Sequence, residues 1–125
     1  MAKPRALAIE DDKEIAELYR RVLEPLGFET EIIRTGEAAL VRLATATPAV
    51  ILLDLNLISR VSGSDILHRI RADKRLTGTR VIVVTGYPEL AETVSHEADA
   101  VLIKPVDVSE LSDLIARLYP RDRSD

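Results

Sequence analysis

The chain has 125 residues and a mass of 13.8 kDa, with 46% hydrophobic and 30% charged residues, five Gly, six Pro and no Cys. That is one domain's length with an ordinary globular balance, which excludes disordered, collagenous and low-complexity chains, a disulfide framework, a thiol nucleophile and a thiolate zinc site. A net charge of −4 and only four aromatics (Tyr19, Phe28, Tyr87, Tyr119) argue against a nucleic-acid surface, and the two histidines, His68 and His96, against a histidine-rich metal site. Neither a signal peptide nor an apolar run of membrane-spanning length is visible, so the expected location is cytoplasmic, with no membrane partner.

Short apolar runs alternate with helical patterns. The first run is Ala6 to Ile9. Ile15, Leu18, Tyr19, Val22, Leu23 and Leu26 then recur at helical spacing, with Gly27 as the stop and Pro25 in the last turn. Thr30 to Ile33 is the most polar run and is expected near a sheet edge. Thr35 opens a second helix carrying Ala39, Leu40 and Leu43. Val50 to Leu53 is continuously apolar, as in a parallel strand covered on both faces. Ile66, Leu67 and Ile70 mark a third helix, with Ser64 as the expected N-cap. Val81 to Val84 is the fourth run, and Pro88 starts a short fourth helix. Val101 to Ile103 is the fifth run. The last helix carries Val108, Leu111, Leu114, Ile115 and Leu118, with Asp107 and Glu110 at capping-box spacing. The core runs from about residue 5 to 119, and the polar tail 120–125 is too short to fold. The five-fold β-α alternation predicts right-handed crossovers and a doubly wound α/β domain with a parallel sheet.

In such sheets, sites form outside the carboxyl ends of the strands. The first run ends in Glu10-Asp11-Asp12, the third in Asp54 followed by Leu55-Asn56, the fourth in Thr85-Gly86 and the fifth in Lys104-Pro105. Carboxylates, a hydroxyl and an ammonium therefore converge on one edge. Glu10, Asp11 and Asp54 cannot all stay ionised without compensation, and a hard divalent cation such as Mg2+ supplies it. A carboxylate can also be a nucleophile, forming an aspartyl phosphate whose charge Lys104 and the metal would stabilise.

With these four strand-end pieces in order, the chain resembles the receiver domain of two-component response regulators, over nearly its whole length (1–125) as a single receiver domain. The resemblance implies a (βα)5 flavodoxin-like domain with a five-stranded parallel sheet of order 2-1-3-4-5. It implies Asp54 as phosphoacceptor, fed by a histidine kinase or histidine phosphotransfer protein. Asp11 and Asp54 would bind Mg2+ directly, Glu10 through water and Asn56 through its backbone carbonyl. Thr85 would be the switch hydroxyl and Lys104 the phosphoryl contact, with a cis Lys104-Pro105 bond. The implied product is a signalling switch rather than an enzyme: it engages a downstream protein target and not nucleic acid directly, as a monomer or a phosphorylation-dependent dimer.

The departures from the family pattern lie in two places. Ile58 stands where Pro is usual, and Gly63 comes one residue late, so the loop from Leu57 to Ser62 is longer. Only 19 positions separate Thr85 from Lys104, which trims the fourth helix, and Val101 replaces the switch aromatic. Tyr87 lies beside the proposed pocket.

Blander roles are expected elsewhere. Asp12 caps the first helix, as acids at an N-terminus do. Arg69, Arg71, Lys74, Arg75 and Arg80 form a solvated end of the third helix. His68 is on the surface, His96 is incidental, and Tyr119 packs the last helix. Two other functions compete. One is a protein-binding module that keeps the fold without phosphorylation. The other is a haloacid-dehalogenase-like phosphatase, against which stand the nucleophile's place on the third strand and Asn56 in place of a second acid.

Overall fold

The computed structural model describes residues 2–120; residues 121–125 of the expected polar tail lie outside the described residues. Five strands alternate with five helices: β1 (Arg5–Ile9), α1 (Lys13–Leu23), β2 (Glu29–Ile33), α2 (Gly36–Leu43), β3 (Val50–Asp54), α3 (Gly63–Ala72), β4 (Arg80–Thr85), α4 (Pro88–Val94), β5 (Ala100–Ile103) and α5 (Val108–Leu118). All neighbouring strands pair in parallel, in the order β2-β1-β3-β4-β5. The expected doubly wound sheet is therefore present. The polar run β2 is at one edge, and the fully buried β3 is at the centre. Among the described residues no helix is long and apolar enough to cross a membrane.

Successive strand residues point to opposite faces, and the core divides by that rule. Leu7, Ile9, Ile51, Leu53, Val81 and Val83 cluster with Ala39 of α2, Ile66 and Ile70 of α3 and Val94 of α4. Ala6, Ala8, Val50, Leu52, Ile82 and Val84 cluster with Tyr19 and Val22 of α1 and Leu111 and Ile115 of α5. Both faces are thus covered, which is why β3 and β4 read as unbroken apolar runs. Tyr119 packs on Phe28 with ring centroids 5.4 Å apart.

The helix ends follow from local chemistry. The Asp12 carboxylate accepts the N–H groups of Glu14 and Ile15 at 2.9 and 3.1 Å. The α-helical part of the first helix stops at Leu23, earlier than the periodicity predicts. Glu24–Leu26 tightens into a 3-10 turn that accommodates Pro25 near its start, and Gly27 closes it with φ 98°. Thr35 caps α2 by accepting the Ala38 N–H. The cap of α3 is Ser62, not the expected Ser64. The Ser62 hydroxyl accepts the Asp65 N–H at 3.1 Å, and the Asp65 carboxylate accepts the Ser62 N–H at 3.2 Å. A capping box needs an acceptor three residues on; Ser62 has Asp65 there, whereas Ser64 has Leu67. At α5 the Asp107 carboxylate accepts the Glu110 N–H.

The expected solvated basic end is only partly that. Arg69 and Lys74 are exposed, but Arg71 donates to the Glu97 carbonyl at 2.6 Å, the Thr79 carbonyl at 3.2 Å and the Asp99 carboxylate at 2.7 Å. Arg75 donates to the Leu43 carbonyl and Arg80 to the Leu118 carbonyl. These carbonyls end helices or lie in loops, outside any strand ladder, and the guanidinium forks satisfy them. His68 is exposed and pairs with Glu97.

Candidate functional site: an acidic cluster at the strand ends

The parallel register carries the ends of β1, β3, β4 and β5 to one edge of the sheet. Glu10 follows β1, Asp54 ends β3, Thr85 ends β4 and Lys104 follows β5. All six expected site residues meet there. Glu10 and Thr85 are fully buried, and Asp54 is 2% exposed. Carboxylate oxygens of Glu10, Asp11 and Asp54 lie within 4.8 Å of one another. The Lys104 ammonium reaches two of these groups, with Nζ 3.2 Å from Glu10 Oε1 and 3.5 Å from Asp54 Oδ2. The Lys104-Pro105 peptide is cis.

Each carboxylate is also held from the backbone. Glu10 Oε2 accepts the Asp12 N–H at 3.1 Å, and Asp54 Oδ1 accepts the Asn56 N–H at 2.9 Å. Asp11 Oδ2 accepts the Ile58 N–H at 3.0 Å, and the Asp11 carbonyl takes two bonds from the Arg34 guanidinium at 3.1 and 2.9 Å. The Thr85 hydroxyl donates to Asn56 Oδ1 at 2.9 Å and accepts the Tyr87 N–H at 3.1 Å.

The electrostatics follow from burial and crowding. Glu10 is raised to about 7, chiefly by desolvation, with the Asp54 charge adding to the rise and the Asp12 N–H and Lys104 opposing it. Burial works against the Lys104 ammonium, but attraction to Asp54 and Glu10 outweighs it and holds this group above its ordinary value. The Tyr19 hydroxyl is raised by burial, then by the charges of Glu10 and Asp54. One ammonium faces three carboxylates, so the cluster has room for a further positive charge.

The longer loop after Asp54 is anchored to the start of α2. The Glu37 carboxylate accepts the N–H groups of Arg60 and Val61 at 3.0 and 3.2 Å, and Ser59 Oγ accepts the Gly36 N–H at 3.1 Å. The backbone bonds to Glu37, aided by Arg60, keep its carboxyl below the usual range. Gly36 and Gly63 are close-approach positions: an added Cβ would lie 2.2 Å from the Val61 carbonyl oxygen or 2.4 Å from that of Asp54. Val101 is half-buried against the cluster under α2, α3 and α4, and Tyr87 is 53% exposed at the rim. Sequence reasoning missed Arg34, Glu37 and the side chain of Asn56; only the capping-like place of Glu37 in the first turn of α2 hinted at any of them.

A family model described as the response regulator receiver domain matches residues 6–116. The regulatory protein LuxO of Vibrio vulnificus (strain YJ016) is 34% identical over 106 residues, covering 82% of this chain and 23% of LuxO. The chain thus spans about a quarter of that relative's length. A CheY-like response regulator receiver domain from Methylobacillus flagellatus superposes with a TM-score of 0.82 at 27% identity, covering 94% of this chain and 100% of that one. The response regulator TrrA of Thermotoga maritima, solved in complex with Mg(2+)-BeF, gives a TM-score of 0.82 at 26% identity over 93% of this chain and 99% of its own.

Proposed function

The chain belongs to the response regulator receiver domain family of two-component signalling, and on that premise we propose that Asp54 is its phosphoacceptor. The observation that carries this reading is the Lys104 ammonium set between buried Glu10 and buried Asp54, with Asp11 completing the carboxylate cluster.

The donor set fits Mg2+. It consists of hard oxygens, is over-supplied with negative charge, and stands beside the residue that would receive a phosphoryl group. Asp11, Asp54 and the Asn56 backbone carbonyl would hold the ion, with Glu10 acting through water. TrrA, with Mg(2+)-BeF bound, supports this assignment by analogy. When bound, Mg2+ supplies charge neutralisation at the oxygens of the transferring group.

The chain's own residues do the rest. An Asp54 carboxylate oxygen attacks the phosphorus of a phosphohistidine; the N–P bond breaks and its electron pair leaves on the donor imidazole. The Asn56 N–H orients Asp54 for that attack. Lys104 pairs with a phosphoryl oxygen, and the Thr85 hydroxyl is drawn toward another. The aspartyl phosphate carries roughly two negative charges where the carboxylate carried one, and the loops that carry Thr85 and Lys104 shift in response. The reading is of a cytoplasmic switch within a single receiver domain, fed by a histidine kinase or phosphotransfer protein and read by a protein target, as a monomer or phosphorylation-dependent dimer. With Val101 in place of an aromatic, the readout does not use a swinging ring at that position.

A dehalogenase-like phosphatase is disfavoured because the candidate nucleophile ends β3 and Asn56 stands where a second acid would be needed. A phosphorylation-independent module is disfavoured by the complete set of acids, Thr85 and Lys104.

Intact mass after incubation with acetyl phosphate and Mg2+ tests the proposal. The wild type should gain one phosphoryl group and Asp54→Ala none. No gain from acetyl phosphate or a phosphohistidine donor, together with no Mg2+ binding by titration, overturns it.

A further inference from the structure

The Thr85 hydroxyl has one proton, and that proton is already committed. It is donated to Asn56 Oδ1 at 2.9 Å, while the oxygen accepts the Tyr87 N–H at 3.1 Å. Thr85 is fully buried, so water does not replace a lost partner freely. A hydroxyl cannot donate to Asn56 and to a phosphoryl oxygen at once. The same residue 56 donates its backbone N–H to Asp54 Oδ1 at 2.9 Å. One residue therefore touches both the acceptor carboxylate, through its main chain, and the switch hydroxyl, through its side chain.

We propose that the Asn56 side chain is a latch that holds the Thr85 hydroxyl in the resting position, so that the 85–56 hydrogen bond and a Thr85–phosphoryl bond are mutually exclusive. This inference rests on the reading of Asp54 as phosphoacceptor. It gives Asn56 a positioning role separate from the backbone carbonyl expected to face the metal. A latched hydroxyl makes the competent conformer a minor one, and apparent affinity for a phosphoryl group or its mimic falls by that fraction. Removing the amide raises the competent fraction.

The experiment is a double-mutant cycle on the full chain with beryllofluoride as the phosphoryl mimic at saturating Mg2+, read by calorimetric titration. Asn56→Ala removes the amide but keeps the main-chain N–H to Asp54 and the carbonyl. Thr85→Ala removes the hydroxyl, and Thr85→Ser restores it. Mg2+ affinity and melting temperature are measured for every variant, to separate a metal or folding effect from a switch effect. Because one hydrogen bond of ordinary net strength is at stake, Asn56→Ala should tighten beryllofluoride binding about 3- to 10-fold when residue 85 is Thr or Ser. In the Thr85→Ala background the same substitution should change it less than about 2-fold. Unchanged or weaker binding in Asn56→Ala, or equal tightening in both backgrounds, overturns the latch while leaving Asp54 as acceptor. Absence of Mg2+-dependent beryllofluoride binding by the wild type overturns the phosphoacceptor reading itself, and the latch with it.

Discussion

Gly63 lies directly against the backbone of Asp54: a Cβ at residue 63 would sit 2.4 Å from the Asp54 carbonyl oxygen and 2.5 Å from the Cα of Leu55. The first residue of α3 is thus packed onto the end of β3, which fixes where the loop after Asp54 rejoins the fold. Neither neighbour is a flexible side-chain end, so a methyl group there must displace main chain. Gly63→Ala should cost about 1–3 kcal/mol, the usual range for overpacking. Because the displaced carbonyl belongs to Asp54, it should also slow phosphorylation by acetyl phosphate. Urea denaturation and time-resolved intact mass read the two effects.

Lys104 is the cation that reaches two of the three clustered carboxylates. Lys104→Ala should lower stability by about 1–3 kcal/mol without Mg2+; the buried-pair figure is discounted because the Lys104 side chain is 25% exposed. Added Mg2+ should recover more melting temperature in Lys104→Ala than in the wild type, since the ion would then replace the missing charge as well as bind. Thermal scans with and without the ion check this. Equal Mg2+ shifts in the two proteins would remove the electrostatic role given to Lys104.

Glu10 titrates at about 7 in the folded chain against an ordinary value of 4.5. Between those values the folded state holds a proton that the unfolded state has released, so this group's contribution to stability falls as pH rises through that window. The slope within it approaches about 1.4 kcal/mol per pH unit. Glu10→Gln carries no such proton and should flatten the fall. The difference between wild type and variant in Mg2+-free urea titrations at pH 4.5, 6 and 7.5 isolates it. A difference independent of pH would place the Glu10 pKa near its unfolded value.

At the opposite end of the sheet, Asp99 accepts the Val81 N–H at 2.7 Å, Arg71 at 2.7 Å and Arg80 at 3.4 Å. It joins α3, β4 and the segment leading into β5. Asp99→Ala leaves the Val81 N–H without its acceptor and takes the carboxylate from Arg71, which keeps only the Glu97 and Thr79 carbonyls, and should cost about 1–3 kcal/mol. The acceptor site is distant in the fold, so acetyl phosphate should still label Asp54 under conditions where the variant is folded. Loss of labelling in a folded Asp99→Ala protein would show that the two ends of the sheet are coupled.

What could be read beforehand depended on chemistry repeated at equivalent places. Glu10, Asp54, Thr85 and Lys104 each follow an apolar run at the same end, so strand assignment alone brought them to one edge, and the polarity of Thr30 to Ile33 marked β2 as an edge strand. What could not be read depended on pairs of side chains far apart in sequence. Nothing in residues 56 and 85 announces that an amide oxygen will receive a hydroxyl proton. Arg71 and Asp99 look like ordinary surface charges until α3 and β5 are placed beside the start of β4. The longer loop was visible as an insertion, but its anchors, Asp11 and Glu37, come from other elements and are chosen by tertiary packing. The expectation of Ser64 as the cap rests on residue type alone, whereas the deciding feature is the acid three residues beyond Ser62.

The division of the core by strand parity has an unequal side. On β1, Leu7 and Ile9 face α2, α3 and α4, whereas the residues facing α1 and α5 are Ala6 and Ala8, in the same cluster as Tyr19 and Phe28. Volume missing from the strand is supplied by two aromatic rings from outside it. Enlarging Ala8 to Val, or trimming Tyr19 to Leu, would each misfit alone, by crowding in one case and by a void in the other. An enlargement on the strand has to be met by a reduction on the helices that cover it, so on this flank of the sheet the unit of tolerated sequence change is the strand–helix pair rather than the single residue.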